Sequence, residues 1–154
     1  MRLWRLAKTC HEHATLEDEA KGAKQVGGRW NSKGIPVVYA AFNVATACME
    51  VLVHVDWLMA PELVLLAIDV PDDITIDVVD HQDLPDDWSV FPAPRQLAEI
   101  GDDWAKNGNS LILEVPSAAC PYERNAILNP FHSDASRCSI QVLGPYHFDG
   151  RLKG

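Results

Sequence analysis

Between Gly27 and Gly34 the chain sets Arg29, Trp30 and Asn31 side by side among glycines, then runs straight into an apolar segment that carries Tyr39. Glycines let a backbone bend and come close to a ligand. Arg29 can donate a fork of hydrogen bonds to phosphate or carboxylate. Trp30 can stack on that arginine or wedge it in place, and Asn31 adds donors and an acceptor. The same residues also suit a plain tight turn whose arginine pairs with one of the chain's many carboxylates. A carboxylate of interest comes next, at Glu50. On a helical wheel Val44, Ala47, Cys48, Val51, Leu52 and Val55 form one apolar face, which Ala45, Met49 and Val53 widen. Only a thin polar stripe is left: Asn43, Thr46, Glu50 and His54. A stripe that narrow fits a cleft better than open water, although a solvated Glu50 is the simpler alternative.

A third group lies in "EVPSAACPYERNAILNPFH". A strand ending at Pro116-Ser117 sets a hydroxyl at the rim of a sheet, and Asn125, Asn129 and His132 follow among turn formers. Ser117 does not read as a nucleophile, because no Gly-x-Ser-x-Gly elbow surrounds it. Its plain alternative is a turn in which the hydroxyl binds nearby backbone. Two other patterns are discounted. "CHEH" at residues 10–13 bunches ligand-type side chains without a second pair at metal spacing. The acidic run "DDITIDVVDHQDLPDD" lacks the glycine and terminal glutamate of a calcium loop.

These residues need a frame. "LWRL" reads as a short strand and "HATLEDEAKGAK" as a helical or irregular segment stopped by the glycine pair. Residues 35–42 read as a strand, with Pro36 at an edge or first position. Asn43 offers an N-cap to a helix reaching about His54. Residues 62–71 form a second buried strand, and "ITIDVVD" a third or its continuation. "PRQLAEIGDDWAKNG" is helical up to Asn107-Gly108, residues 110–117 are a strand, "NAILNPFH" is a compact turn or loop, and "CSIQVLGPYHF" is the last strand. Strands and helices mix without strict alternation, so the fold class expected is α+β, one domain over residues 1–154 with a mixed or antiparallel sheet.

Composition sets the outer limits. The chain has 154 residues, 47% apolar and 23% charged, with a net charge of −9. That length builds one domain with a real core. The negative balance argues against direct nucleic-acid binding, which draws on excess Lys and Arg. No apolar run has the length to span a bilayer, and the charge-broken start does not resemble a secretory signal, so a cytoplasmic location is expected. Cys10, Cys48, Cys120 and Cys138 show no zinc-like spacing and read as free, mostly buried thiols.

Taken together and in order, "GGRWNSKGIPVVYAA", "ATACMEVLVH", "IGDDW" and "VPSAACPYERNAILNPFH" resemble the RES domain family, over nearly the whole chain. The family is named for an Arg, a Glu and a Ser, and it supplies the toxin of RES–Xre toxin–antitoxin pairs. The resemblance implies a fold similar to ADP-ribosyltransferase toxins of the diphtheria-toxin type. It also implies an enzyme that consumes NAD by breaking the nicotinamide–ribose bond, passing ADP-ribose to water, to phosphate or to a protein. NAD is then substrate, with no cofactor and no metal, and the expected partner is an Xre-like antitoxin; the oligomeric state, a homodimer included, stays open. Carried over by position, the family's residues fall on Arg29, Tyr39, Glu50 and Ser117. In those roles Glu50 stabilises the positive ribose, Tyr39 packs on nicotinamide, Arg29 holds the pyrophosphate or adjacent ribose, and Ser117 bonds ribose, amide or Glu50. Asn31, Asn125 and His132 are further substrate-binding candidates. A Rossmann dehydrogenase is disfavoured, since no G-x-G-x-x-G follows a strand. The rivals are a protein ADP-ribosyltransferase and a non-catalytic nucleotide-binding module.

Overall fold

A computed structural model describes residues 1–8, 13–56 and 62–153. Seven strands form one sheet: β1 (Arg2–Ala7), β2 (Val38–Ala41), β3 (Leu63–Asp69), β4 (Ile76–Val78), β5 (Ile112–Pro116), β6 (Arg124–Leu128) and β7 (Ser139–Tyr146). Their spatial order is β4-β5-β6-β2-β1-β3-β7. Every pairing is antiparallel except β4 with β5. That exception is a crossover unit, because α4 (Arg95–Asn107) lies in the connection between those two strands. The α+β expectation therefore holds, with a mixed sheet.

Both faces of the central strands are covered. On one face Leu3, Val38, Ala40, Ile68, Ala126 and Leu128 pack with Leu16 and Ala20, from and just after helix α1 (Leu16–Glu19). On the other, Val37, Leu113, Val115 and Ile127 pack with Trp30 and with Leu97 and Trp104 of α4. A strand buried on both faces needs no polar alternation, which is why "NAILNPFH" misleads. Its first half is not a loop: Arg124–Leu128 is strand β6, paired with both β5 and β2. β2 is likewise interior, and Pro36 stands ahead of it, outside the ladder.

One junction in the sheet is weak. β1 pairs with β3 at six positions, yet meets β2 at a single pair, Trp4 opposite Ala41. Helix α3 (Val44–Leu52) packs across that junction on both β1 and β2. Asn43 caps it as expected, its side chain accepting from the Thr46 amide at 2.8 Å. Helix α2 (Lys21–Val26) precedes the glycine pair. Among the described cysteines, Cys48, Cys120 and Cys138 are free but half-buried rather than buried; Cys10 and most of "CHEH" lie outside the described residues. Among the described residues no helix is long and apolar enough to cross a membrane.

Candidate active site

A cavity of about 930 Å³ opens where β1 and β2 part, and Arg29, Tyr39, Glu50 and Asn125 all line it. Of the thin polar stripe, Glu50 on α3 and His54 just past its end line the cavity, whereas Asn43 and Thr46 do not; Thr46 is buried and Glu50 half-buried. Glu50 is held by two donors. The Ser117 hydroxyl donates to its Oε1 at 2.6 Å and the Asn125 Nδ2 donates to the same oxygen at 2.5 Å. Ser117 Oγ in turn accepts from the Cys120 amide at 2.9 Å, so its own proton is directed at the carboxylate. The plain turn reading of Ser117 is thus realised, and the same hydroxyl also reaches Glu50. With Nδ2 turned to Glu50, the Asn125 Oδ1 lies buried and without a partner.

The Arg29 loop is anchored from beneath. Trp30 does not stack on the arginine; its ring is buried in the core against α4. Asn31 is fully buried and does not line the cavity. Its Nδ2 donates to the carbonyls of Ala23 and Ile35, both at 2.9 Å, and its Oδ1 accepts from the Tyr39 hydroxyl at 2.7 Å. The Trp30 amide donates to that same hydroxyl at 3.0 Å. Asn31 therefore positions Tyr39 and is occupied within the protein, against the expectation of a substrate contact. Glycine at residue 28 is required, because a Cβ there would sit 2.6 Å from the Tyr39 hydroxyl.

Among the described residues Arg29 pairs with no carboxylate. Its NH1 donates to the carbonyls of Trp88 at 2.6 Å and Val90 at 3.1 Å, tying the segment before α4 to the cavity wall. Burial pushes its guanidinium below the usual value, and the negative charge of Glu50 pulls the other way. Burial likewise raises the Tyr39 phenol above the ordinary tyrosine range, against the hydrogen bond from Trp30.

His132 is elsewhere: its Nδ1 accepts from the Asp134 amide at 3.1 Å and caps a short turn, outside the cavity lining. Asn129 also serves the fold, donating to the Ala105 carbonyl at 3.0 Å. Residues with no role assigned by the sequence fill the gap. Asp102 of α4 accepts from the Ser32 amide at 2.8 Å, and Gly101 leaves room for the Trp30 carbonyl, from which a Cβ would be only 1.8 Å away. Arg5 of β1 also lines the cavity. The motif "IGDDW" signals the α4 contacts, but their partners are some 70 residues earlier.

The sequence model of the RES domain matches residues 2–149. The chain belongs to the RES domain family. This RES domain is 43% identical over 136 residues to "Toxin Res" of Photorhabdus laumondii, covering 87% of this chain and 85% of that one. It is 34% identical over 152 residues to "Prs ADP-ribosylating toxin" of Sphingobium sp., covering 97% and 94% respectively. Among solved structures, the RES domain is similar to a chain of the M. tuberculosis MbcT–MbcA toxin–antitoxin complex, with a TM-score of 0.73 over 98% of this chain and 85% of that one. At 17% identity that likeness concerns the fold.

Proposed function

We propose that this RES domain is the toxin of a toxin–antitoxin pair and consumes NAD by cleaving the bond between nicotinamide and ribose. The observation that carries the reading is Glu50, fixed by Ser117 and Asn125 in the same cavity as Arg29 and Tyr39. Departure of neutral nicotinamide leaves the ribose as an oxocarbenium-like cation, as in glycoside cleavage. A carboxylate already locked in place stabilises that charge without reorganising during the step. Tyr39, its hydroxyl tied to Asn31, offers a fixed ring for the nicotinamide. Arg29 supplies positive charge for the pyrophosphate or the adjacent ribose. Water or phosphate then takes the ribose carbon on loss of the leaving group, and its proton goes to solvent or to Glu50.

Purified protein incubated with NAD should release nicotinamide, and Glu50→Gln should lose most of that rate while unfolding at the same urea concentration. An undiminished rate in Glu50→Gln removes the carboxylate from the mechanism. A second reading, transfer of ADP-ribose to a protein, is favoured by the name of the Sphingobium relative. Labelled NAD added to cell lysate separates the two: label on one protein band supports transfer, and free or phosphorylated ADP-ribose supports turnover. The partner of this reading is an antitoxin, which the presence of MbcT in a toxin–antitoxin complex supports; its Xre-like type rests on the family resemblance. A cell that grows normally, with unchanged NAD, on induction without that partner points instead to a binding module.

A further inference from the structure

We infer that Glu123 is a positioning residue: it clasps the loop between β5 and β6 onto the N-cap of α3, and so fixes Ser117 and Asn125 against Glu50. The inference rests on the NAD-cleaving reading above and extends it to a residue outside the cavity lining. Glu123 Oε2 accepts from the Asn43 Nδ2 at 2.9 Å. Asn43 thereby does two things with one amide, since its Oδ1 already caps α3 through the Thr46 amide at 2.8 Å. Aspartate caps a helix equally well, yet it has no hydrogen to offer Glu123.

The clasp matters because of how α3 is seated. The helix packs chiefly on β1 and β2, whereas the donors to its carboxylate come from the end of β5 and the start of β6. Ser117 and Asn125 converge on a single oxygen, Glu50 Oε1, and one point does not fix the tilt of a helix against a hairpin. Asn43 stands seven residues before Glu50, about two turns and about 10 Å along the same face. A second tie at that distance fixes the tilt.

The loop is built to carry this tie. Its backbone closes on itself: the Ser117 amide donates to the Glu123 carbonyl and the Glu123 amide to the Cys120 carbonyl, both at 3.0 Å. The Cys120 amide in turn holds Ser117 Oγ. Moving Glu123 therefore moves Ser117. The residue between, Tyr122, sits at φ +76 and is fully exposed. A bulky side chain rarely adopts that conformation, and no burial of its ring rewards it here. Such strain persists where surrounding contacts over-determine the backbone, and the bend directly precedes the side chain that turns to Asn43. The Asn43–Glu123 bond is itself exposed, so it adds little to overall stability; its effect is on geometry.

Asn43→Asp separates this role from helix capping, because it keeps the cap, removes the donor and sets two carboxylates together. It should lower the kcat of nicotinamide release by about tenfold and leave KM within about twofold, since the reacting carboxylate shifts while the contacts that bind NAD stay. Glu123→Ala should do the same, and Glu123→Gln, which keeps an accepting oxygen, should fall between it and wild type. Adding Glu123→Gln to Asn43→Asp should bring kcat back to within about threefold of wild type, because the glutamine amide can donate to the carboxylate at residue 43. An unchanged kcat in Asn43→Asp and Glu123→Ala, or a loss that the double variant does not restore, overturns the inference. The side-chain amide signals of Asn125 in NMR spectra give a readout that needs no turnover: they should shift in Asn43→Asp and return in the double variant. A wild-type protein that releases no nicotinamide, yet shows this shift and its return, refutes the proposed reaction alone. One that releases nicotinamide, with rate and Asn125 signals indifferent to both substitutions, refutes this inference alone. Neither release nor shift refutes both.

Discussion

Gly101→Ala tests how α4 holds the Arg29 loop. In an ordinary helix interior this substitution stabilises by about 0.5–1 kcal/mol, because the unfolded chain loses freedom. Here the new Cβ would lie 1.8 Å from the Trp30 carbonyl oxygen, with the Trp30 carbonyl carbon at 2.8 Å. Both are backbone atoms, so no side-chain rotation relieves the contact. The loop has to retreat by roughly 1.5 Å before the atoms reach van der Waals distance. Overpacking of this kind costs about 1–3 kcal/mol, and the retreat also strains the Asp102–Ser32 bond. The net expectation is a loss of about 1–2 kcal/mol, or roughly 2–8 °C in melting temperature for a chain of this size. Arg29 moves with the loop, and an ångström of misplacement lowers turnover by about a hundredfold. The control is Gly22→Ala in α2, where nothing lies within 4 Å of the added carbon, so the ordinary gain should appear. Urea unfolding and nicotinamide release measure both quantities. If Gly101→Ala matches Gly22→Ala in stability and keeps wild-type activity, the docking of this loop on α4 is refuted.

Three further outcomes are expected. Ser117→Ala should cut nicotinamide release by about tenfold to a hundredfold, the worth of one charge-assisted hydrogen bond to Glu50; a loss near a millionfold would instead mark a nucleophile. Thr46→Val should be neutral or stabilise by up to about 1 kcal/mol in urea unfolding, because the Thr46 hydroxyl is buried without a partner. Since burial raises the Tyr39 phenol, the folded chain keeps a proton that the unfolded chain releases. Its contribution is fully present below about pH 10, the unfolded value, and declines as pH rises beyond it; the stability gap between wild type and Tyr39→Phe should therefore narrow in melting curves from about pH 10 upward.

Much of the fold was readable where pattern and burial agree. Asn43 announced α3, and the narrow stripe around Glu50 signalled a helix turned toward a cleft. β6 was hidden because only Ala126, Ile127 and Leu128 lie between two asparagines, and a strand covered on both faces carries no alternating pattern. That error put Asn125 on a loop, whereas its β position opposite Ala41 is what aims it at Glu50. The roles of Asn31 and Asp102 depend on partners distant in the chain or on the direction of a side chain, and neither shows in spacing. Asn31 looked like a ligand donor because its amide is rich in hydrogen bonds; the fold uses those bonds itself. Arg5 is hidden within a short strand, since one residue cannot reveal that its strand parts from a neighbour.

The lone rung between Trp4 and Ala41 makes the sheet two ribbons, of three strands and of four, rather than one continuous blade. Trp4 and Arg5 belong to the first ribbon, Tyr39 and Asn125 to the second, and the carboxylate hangs from a helix laid over both. A molecule gripping all of them acts as the rivet that the missing ladder does not supply. Occupancy should then slow amide hydrogen exchange on both sides of the seam together, including in residues that the molecule never touches.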